Sequence, residues 1–546
     1  MHRFDLYPLY NKEVTGTVTR QTFVQGTSIL IGASLITRIL GFVYRIALTR
    51  LIGAEGLGLF QMVFPFLTLV LTIVSAGMGI AISKLVAESL VVGDRRRIRR
   101  IMVIGHTITL SLAVAATGLL LAFGDEITHH LFTDPRAYYP FMTLIPVVGV
   151  IAVSSVLRGY FQGLQIMSTP SVASILETLI RIGGVWAIAV LSLAHGLEYA
   201  AASVSAGMIL GELAGCLYML YVYRRKTRIS RLEMPPCNAA PETWRQTLRA
   251  MLQIAMPVTL SRFLGSIAYA VEPILVTRSL IAAGASAGLA TRLYGEYSGM
   301  AIPLLVFPTV FTYSLAVQLV PSIAEAMAAG RKETVARRLI QSFRATALVG
   351  FPTSLILLEF ATPLCQAIYA QPQVGQLLAI MAPCGFLLYL QGPLSGILQG
   401  INKAGVVMRN SLIGSAVKLI IIYYLARDPD IGAAGVAWSL TIAVSLTTLL
   451  HIASVHRLLG FYVDTIDTAK ILLLTCIMGL SMHLAWERLS TTMALTPAIT
   501  TVILGGIFLY VILLLMTRTV TSHALKRIPG IGRPLARAAR LLPFAR

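Results

Sequence analysis

Residues 24–60, VQGTSILIGASLITRILGFVYRIALTRLIGAEGLGLF, carry two arginines inside an otherwise apolar run. The part from Val24 to Leu48, about 25 residues, is long enough to cross a bilayer as a helix at roughly 1.5 Å per residue. Arg38 falls near mid-depth, and Arg45 follows seven residues later. Seven residues is close to two helical turns, so the two guanidinium groups share a face. An arginine at the bilayer centre costs roughly 2.5–3.5 kcal/mol on insertion scales, so it faces protein or water rather than lipid. Two arrangements meet that cost: a carboxylate from another helix, or a cationic, water-filled cavity. No acid lies within the span, which favours the cavity.

Composition places the whole chain in the same solvent. Of 546 residues, 56% are hydrophobic and only 12% charged, with a mean hydropathy of +0.78, which is the balance of a polytopic membrane protein. The formal net charge of +21 does not indicate nucleic acid, because the basic residues gather in short loops between apolar spans. Positive-inside topology and attraction to anionic lipids account for them. Five cysteines are scattered without a CxxC or Cys/His cluster, so no metal, cofactor or disulfide role is expected. The first 22 residues hold Arg3, Asp5, Lys12 and Glu13 and lack the apolar core of a cleavable signal peptide.

Hydropathy predicts an all-α integral membrane fold with fourteen transmembrane helices, the first two near 24–48 and 58–89 and the last two near 468–488 and 496–517. RRRIRR (95–100), RRKTRISR (224–231), RKETVARR (331–338), Lys403 with Arg409, and Arg457 with Lys470 define one basic side. The N-terminal segment and the tail, with Lys526, Arg527, Arg533, Arg537 and Arg540, fall on that side. Both termini are therefore expected in the cytoplasm, as an even number of spans requires. The longest loop contains Pro235, Pro236 and Pro241 and reads as a linker. The expected organisation is a cytoplasmic segment 1–23, an N-lobe 24–223, a cytoplasmic linker 224–247, a C-lobe 248–456, two further helices within 457–517 and a basic tail 518–546.

The two lobes match each other in order. Arg38-Ile-Leu-Gly41 in the first span corresponds to Arg262-Phe-Leu-Gly265 in the seventh, and Phe64-Pro65 to Phe307-Pro308. LRGYFQG (157–163) corresponds to LSGILQG (394–400), and at the same offset Arg181 corresponds to Lys418. Six spans restore the starting orientation, so the lobes are expected to be parallel repeats.

Transporters of two lobes place substrate at the repeat interface near the midplane. Arg38, Arg45, Arg262, Arg181 and Lys418 would there suit an anion, and the planar fork of arginine matches phosphate or diphosphate oxygens. Glu177 precedes Arg181 by four residues, the spacing of a helical ion pair, which is either structural or functional. Glu212 and Glu272 are either counter-ions for the arginines or sites for a coupling proton or sodium ion. Lys84, four residues before Glu88, lies near the cytoplasmic end of the second span, where it lines a cavity mouth or snorkels to the interface. Pro65, Pro257, Pro303 and Pro308 are expected to kink their spans. No P-loop, HExxH or GxSxG is present, so a catalytic enzyme is not expected. A membrane glycosyltransferase would need carboxylates on a substantial loop, and only 125–137, with Asp125, Glu126 and Asp134, offers any. A cation-coupled drug exporter would favour an acidic cavity.

The stretches LITRILGFVYRIALTRLIGAEGLGLFQ (35–61), AISKLVAES (81–89), AVSSVLRGYFQG (152–163) and LEYAAASVSAGMILGELAG (197–215) resemble the polysaccharide-exporter branch of the multidrug/oligosaccharidyl-lipid/polysaccharide flippase superfamily. The resemblance runs over nearly the whole chain. It implies a fourteen-helix, two-lobed flippase moving a polyprenyl-diphosphate-linked cell-wall precursor to the outer leaflet, with lipid II for spore cortex peptidoglycan as the implied cargo. Other undecaprenyl-linked glycans remain open, and peptidoglycan synthesis enzymes are implied partners. In related lipid II flippases, arginines of the first helix face the central cavity. Arg38 matches the first of these, and Arg45 the second with a one-residue offset. Those relatives also carry an arginine in the second helix, whereas TLVLTIVSAG (68–77) has none; Lys84 or Arg262 would fill that role, or it stays empty.

The charge pattern fixes a topological test. A cysteine introduced at Ser230 is expected to react in intact cells with a membrane-permeant maleimide and not with an impermeant one. Labelling by the impermeant reagent would reverse the orientation.

Overall fold

A computed structural model of the chain describes residues 23–75, 77–225, 242–460 and 465–519. Most of the N-terminal segment 1–23, of the linker 224–247 and of the tail 518–546, and with them both termini, lies outside the described residues. The described residues form helices and turns, without a strand. Lipid offers no hydrogen bonds to the backbone, and a helix satisfies its own N–H and C=O groups. In chain order the helices are α1 (Phe23–Ser75), α2 (Met78–Val92), α3 (Arg95–Ala122), α4 (Gly124–Leu131), α5 (Tyr138–Leu144), α6 (Val147–Gly163), α7 (Ser168–Ser192), α8 (Leu197–Arg225), α9 (Trp244–Ala282) and α10 (Ala287–Tyr294). There follow α11 (Ile302–Val306), α12 (Thr309–Ala328), α13 (Lys332–Glu359), α14 (Ala361–Tyr369), α15 (Val374–Met381), α16 (Gly385–Gly400), α17 (Ala404–Leu425), α18 (Ala433–Leu459), α19 (Thr465–Thr492) and α20 (Leu495–Met516).

Among the described residues, eleven helices are long and apolar enough to cross a membrane. The count rises to thirteen if two bent pairs, Pro135–Leu144 with Val147–Gly163 and Glu333–Glu359 with Ala361–Tyr369, each form one span. This is a multi-pass integral membrane fold, but its count differs from the fourteen expected. The difference lies in Gly32–Val92, a 61-residue apolar stretch in place of two separate spans. Helix α1 alone runs 53 residues, and its backbone leaves helical geometry at Gly53, with φ 70° and ψ −177°. A left-handed φ of that kind is open to glycine at little cost. The prolines act in two ways. Pro65 and Pro257 lie inside continuous helices, whereas Pro303 and Pro308 stand at the starts of α11 and α12 and separate them.

The chain divides into two compact units. The first comprises the residues to Arg278 together with Ser286–Gly295; the second comprises Ser279–Ala285 and the residues from Glu296 onward. The first unit thus takes in most of α9, which the sequence pattern assigned to the C-lobe. Its core gathers Ile82, Leu85 and Val86 of α2, Ile98 and Ile101 of α3, and Val156, Tyr160 and Phe161 of α6. The α6 helix reaches α2 through Gly159 and Gly163: a Cβ on either would stand 2.6–2.8 Å from the carbonyl oxygens of Gly79 and Ser83. Small residues four apart let helices approach where lipid gives no hydrophobic drive. In the second unit, Gly396 and Gly400 of α16 make the corresponding approach to the carbonyls of Ala316 and Val320 on α12. A core of Ile323, Leu339, Leu394 and Ile397 surrounds that contact. A separate cluster packs α19 and α20 against Phe360 through Met478, Met482, Val502 and Tyr510.

Helix α10 closes on α1 within the first unit. A Cβ on Gly58 would collide with the Thr291 carbonyl, and one on Gly295 with the Ala54 carbonyl. Beside this contact Arg136 bonds Asp134 at 2.8 Å and Glu55 at 2.5 Å, and the Thr291 hydroxyl lies 3.0 Å from Asp134. Asp134 is buried. Burial raises the affinity of its carboxyl for a proton, but hydrogen bonds and charge from Arg136, with the Thr291 hydroxyl, outweigh burial and hold it below its usual range. A carboxyl lowered in the fold contributes stability above its unfolded pKa and loses it as pH falls toward the folded one. Thermal unfolding in detergent is therefore expected to show a loss of stability on acidification from about pH 6 to about pH 3 that is smaller in Asp134→Asn.

Candidate functional site

Helices α7 and α8 form the tightest helical pair of the first unit around a stripe of three glycines. Gly207, Gly211 and Gly215 recur every four residues along one face of α8. A Cβ on Gly211 would stand 2.6 Å from the Glu177 carbonyl oxygen and 3.0 Å from the Arg181 Cβ. The approach brings Glu212, next to Gly211, against the acidic and basic pair of α7.

Glu177 sits between two arginines. Its Oε2 accepts from Arg158 Nη2 at 2.9 Å, and its Oε1 accepts from Arg181 Nη2. The same Arg181 nitrogen lies 3.8 Å from Glu212 Oε1. Arg158 is steadied further by Ser174 Oγ at 3.0 Å and Ser154 Oγ at 3.3 Å. The side chains of Glu177 and Glu212 are only 12% exposed. A cavity of about 370 Å³ opens onto the cluster, lined by Thr37 of α1, Ser154 and Arg158 of α6, Ser174 and Glu177 of α7, and Glu212 of α8.

Helix α1 extends the site. Arg38 and Arg45 are half-buried. The charges of both Arg45 and Arg181 act on the Tyr44 hydroxyl. Arg45 and Glu272 likewise act on Tyr269 of α9. Of the expected residues, the structure therefore brings Arg181, Glu177 and Glu212 into direct contact. The Tyr44 hydroxyl and Arg181 Nε are buried and make no hydrogen bond within the described chain. Both groups can donate a hydrogen bond to an oxyanion.

Lys84, Arg262 and Lys418 have other immediate surroundings. Lys84, midway along α2, has a side chain 62% exposed and lies 4.0 Å from Glu88, which also faces Arg97. Arg262 is exposed on α9, and Lys418 is half-buried on α17 in the second unit. Arg158 was absent from the expected set. Its motif LRGYFQG was legible, but the arginine's partner lies 19 residues on, across a helical turn that has no spacing rule. The available signal was its counterpart in LSGILQG, where a serine stands.

A multi-pass bundle whose charged side chains are gathered inside the helices, facing a polar cavity, defines a membrane transporter rather than a channel-free scaffold. Comparison with known proteins agrees. The family model described as "Polysaccharide biosynthesis protein" matches residues 23–327, and the MatE model matches residues 298–425. The chain belongs to the polysaccharide biosynthesis protein family. It is 37% identical to Stage V sporulation protein B of Bacillus subtilis over 95% of this chain and 100% of that protein. It is 24% identical to the lipid II flippase MurJ of Bacillus subtilis, over 84% of this chain and 88% of the relative. A solved structure of lipid II flippase MurJ in an inward closed conformation aligns with TM-score 0.64 and 16% identity, covering 89% of this chain and 98% of the other. The homologues of MurJ and MATE type are transporters and not catalytic enzymes.

Removing one arginine from the Glu177 cluster tests its cohesion. Breaking a buried ion pair costs roughly 3–5 kcal/mol, and about 2 kcal/mol is expected for Arg158→Ala because Arg181 still covers Glu177. The double variant Arg158→Ala/Glu177→Gln is expected to recover part of that loss, read from unfolding in detergent. Equal stability of the single variant and the wild-type chain would show the pair to be energetically silent.

Proposed function

We propose that the chain is a flippase that carries a polyprenyl-diphosphate-linked cell-wall precursor, lipid II for spore cortex peptidoglycan, from the inner to the outer leaflet. It works by alternating access between two lobes of six helices, with Gly32–Val92 counted as two passes and α19 and α20 outside the repeat. The observation that carries this reading is a pair of buried donors with no hydrogen-bond partner among the described residues, the Tyr44 hydroxyl and Arg181 Nε, both suited to phosphate oxygens. Homology to a lipid II flippase and to a sporulation protein supports the cargo.

Arg38, Arg45 and Arg262 hold the diphosphate, while Arg181 and Lys418 shape the field around it. Lys84 is the first cation met at the cytoplasmic mouth. Both termini face the cytoplasm, and the basic loops contact anionic lipids. Peptidoglycan synthesis enzymes are the partners that would consume the product.

Reconstituted vesicles loaded with lipid II test the proposal. Each charge-assisted contact is worth roughly 1.5–3 kcal/mol, so Arg38→Ala is expected to lower the flipping rate about tenfold or more. Arg38→Lys is expected to recover only part, because lysine keeps the charge and loses the fork. Flipping at the wild-type rate by Arg38→Ala would remove the role assigned to α1. A second undecaprenyl-diphosphate glycan, flipped faster than lipid II, would reassign the cargo.

A further inference from the structure

We infer that Glu177 and Glu212 form a one-proton carboxyl pair, and that this pair is where a proton enters and leaves during the transport cycle. The inference deepens the flippase reading and rests on it for the word transport. The pair itself rests on geometry. Glu177 Oε1 of α7 and Glu212 Oε1 of α8 both stand against the same Arg181 nitrogen, the second at 3.8 Å, which brings the two carboxyls side by side. Two carboxylates hydrogen-bond only when a proton stands between them, since each ionised group is an acceptor alone. Like charges brought this close in a dry site do not both ionise freely.

The surrounding groups set the charge. Arg181 comes from the same helix as Glu177, Arg158 from α6, and Arg45 with Tyr44 from α1; Cys216 follows Glu212 one turn later on α8. Two arginines and two ionised acids leave the inner cluster of Arg158, Arg181, Glu177 and Glu212 neutral. One bound proton leaves it with a single positive charge. A sodium ion would have to displace the Arg181 nitrogen that already reaches both carboxylates, so the proton is the cation that fits. The cavity lined by Thr37, Ser154 and Ser174 gives water a route to the pair.

The proton also acts on the anion site. When the pair holds it, one carboxylate charge no longer restrains Arg181, and the guanidinium turns more of its donors to a diphosphate. By linkage, proton and anion then favour each other's binding.

Infrared difference spectroscopy on the purified chain in detergent, without substrate, reads the pair directly. The wild-type chain is expected to show the carbonyl stretch of a protonated carboxylic acid that titrates with pH, and Glu212→Gln is expected to lose it. Glu212→Asp, which keeps the acid, serves if the glutamine variant fails to fold, and its band is expected to shift rather than vanish. An unchanged band in a folded Glu212→Gln, or no shift in Glu212→Asp, would overturn the pair. Flipping in vesicles is expected to vary with pH in wild type and to lose that variation in Glu212→Gln. A requirement for sodium, with no pH dependence, would overturn the coupling role. Because the infrared reading needs no cargo, failure of the lipid II assignment leaves it standing, and its failure leaves that assignment standing.

Discussion

A carboxylate buried in a membrane protein demands a partner, and Glu177 meets that demand twice. Arg158 and Arg181 hold its two oxygens from different helices, so one acid ties α6 to α7. Isolated, either arginine or the glutamate would be costly at this depth. Together they become a fixed internal element, on which the cavity and the approach of Glu212 depend. The glycines of α8 exist in this context. Any side chain at Gly211 would push α8 away from Glu177 and separate the second acid from the first.

The rest of the packing follows from the absence of a hydrophobic drive between helices in lipid. Close backbone contact has to replace it, and small residues make that contact. Gly159 and Gly163 in one unit and Gly396 and Gly400 in the other serve the same purpose at corresponding motifs. The units differ in what their interiors hold. The first holds the Glu177 cluster. In the second, Gln391 donates to the Val444 carbonyl and the Thr448 hydroxyl, and Asn410 is bonded to His451 and Ser454.

Helix α10 adds a polar seam to this packing. Glu55, Arg136, Asp134 and Thr291 come from three separate segments and converge beside two glycine contacts. Glycines alone allow separation and return of helices, while the ionic seam gives the contact a defined register. A transporter that changes shape needs contacts of that kind, which are specific without being large.

The amino-acid sequence determined the solvent, the all-helical class, the gathering of basic residues in loops, the family and the pairing of Glu177 with Arg181. These are properties of hydropathy, loop charge and spacing along one helix, where a four-residue interval already implies contact. Tertiary structure alone decided that Arg158 completes the Glu177 cluster, that Glu212 joins it and that Lys84 stands outside. It also decided that α1 runs on past the break at Gly53 to Ser75 and that most of α9 packs with the first unit. The reason is physical. Local periodicity reports neighbours three or four residues apart, whereas a pair such as Arg158 and Glu177 exists only because the fold sets α6 beside α7.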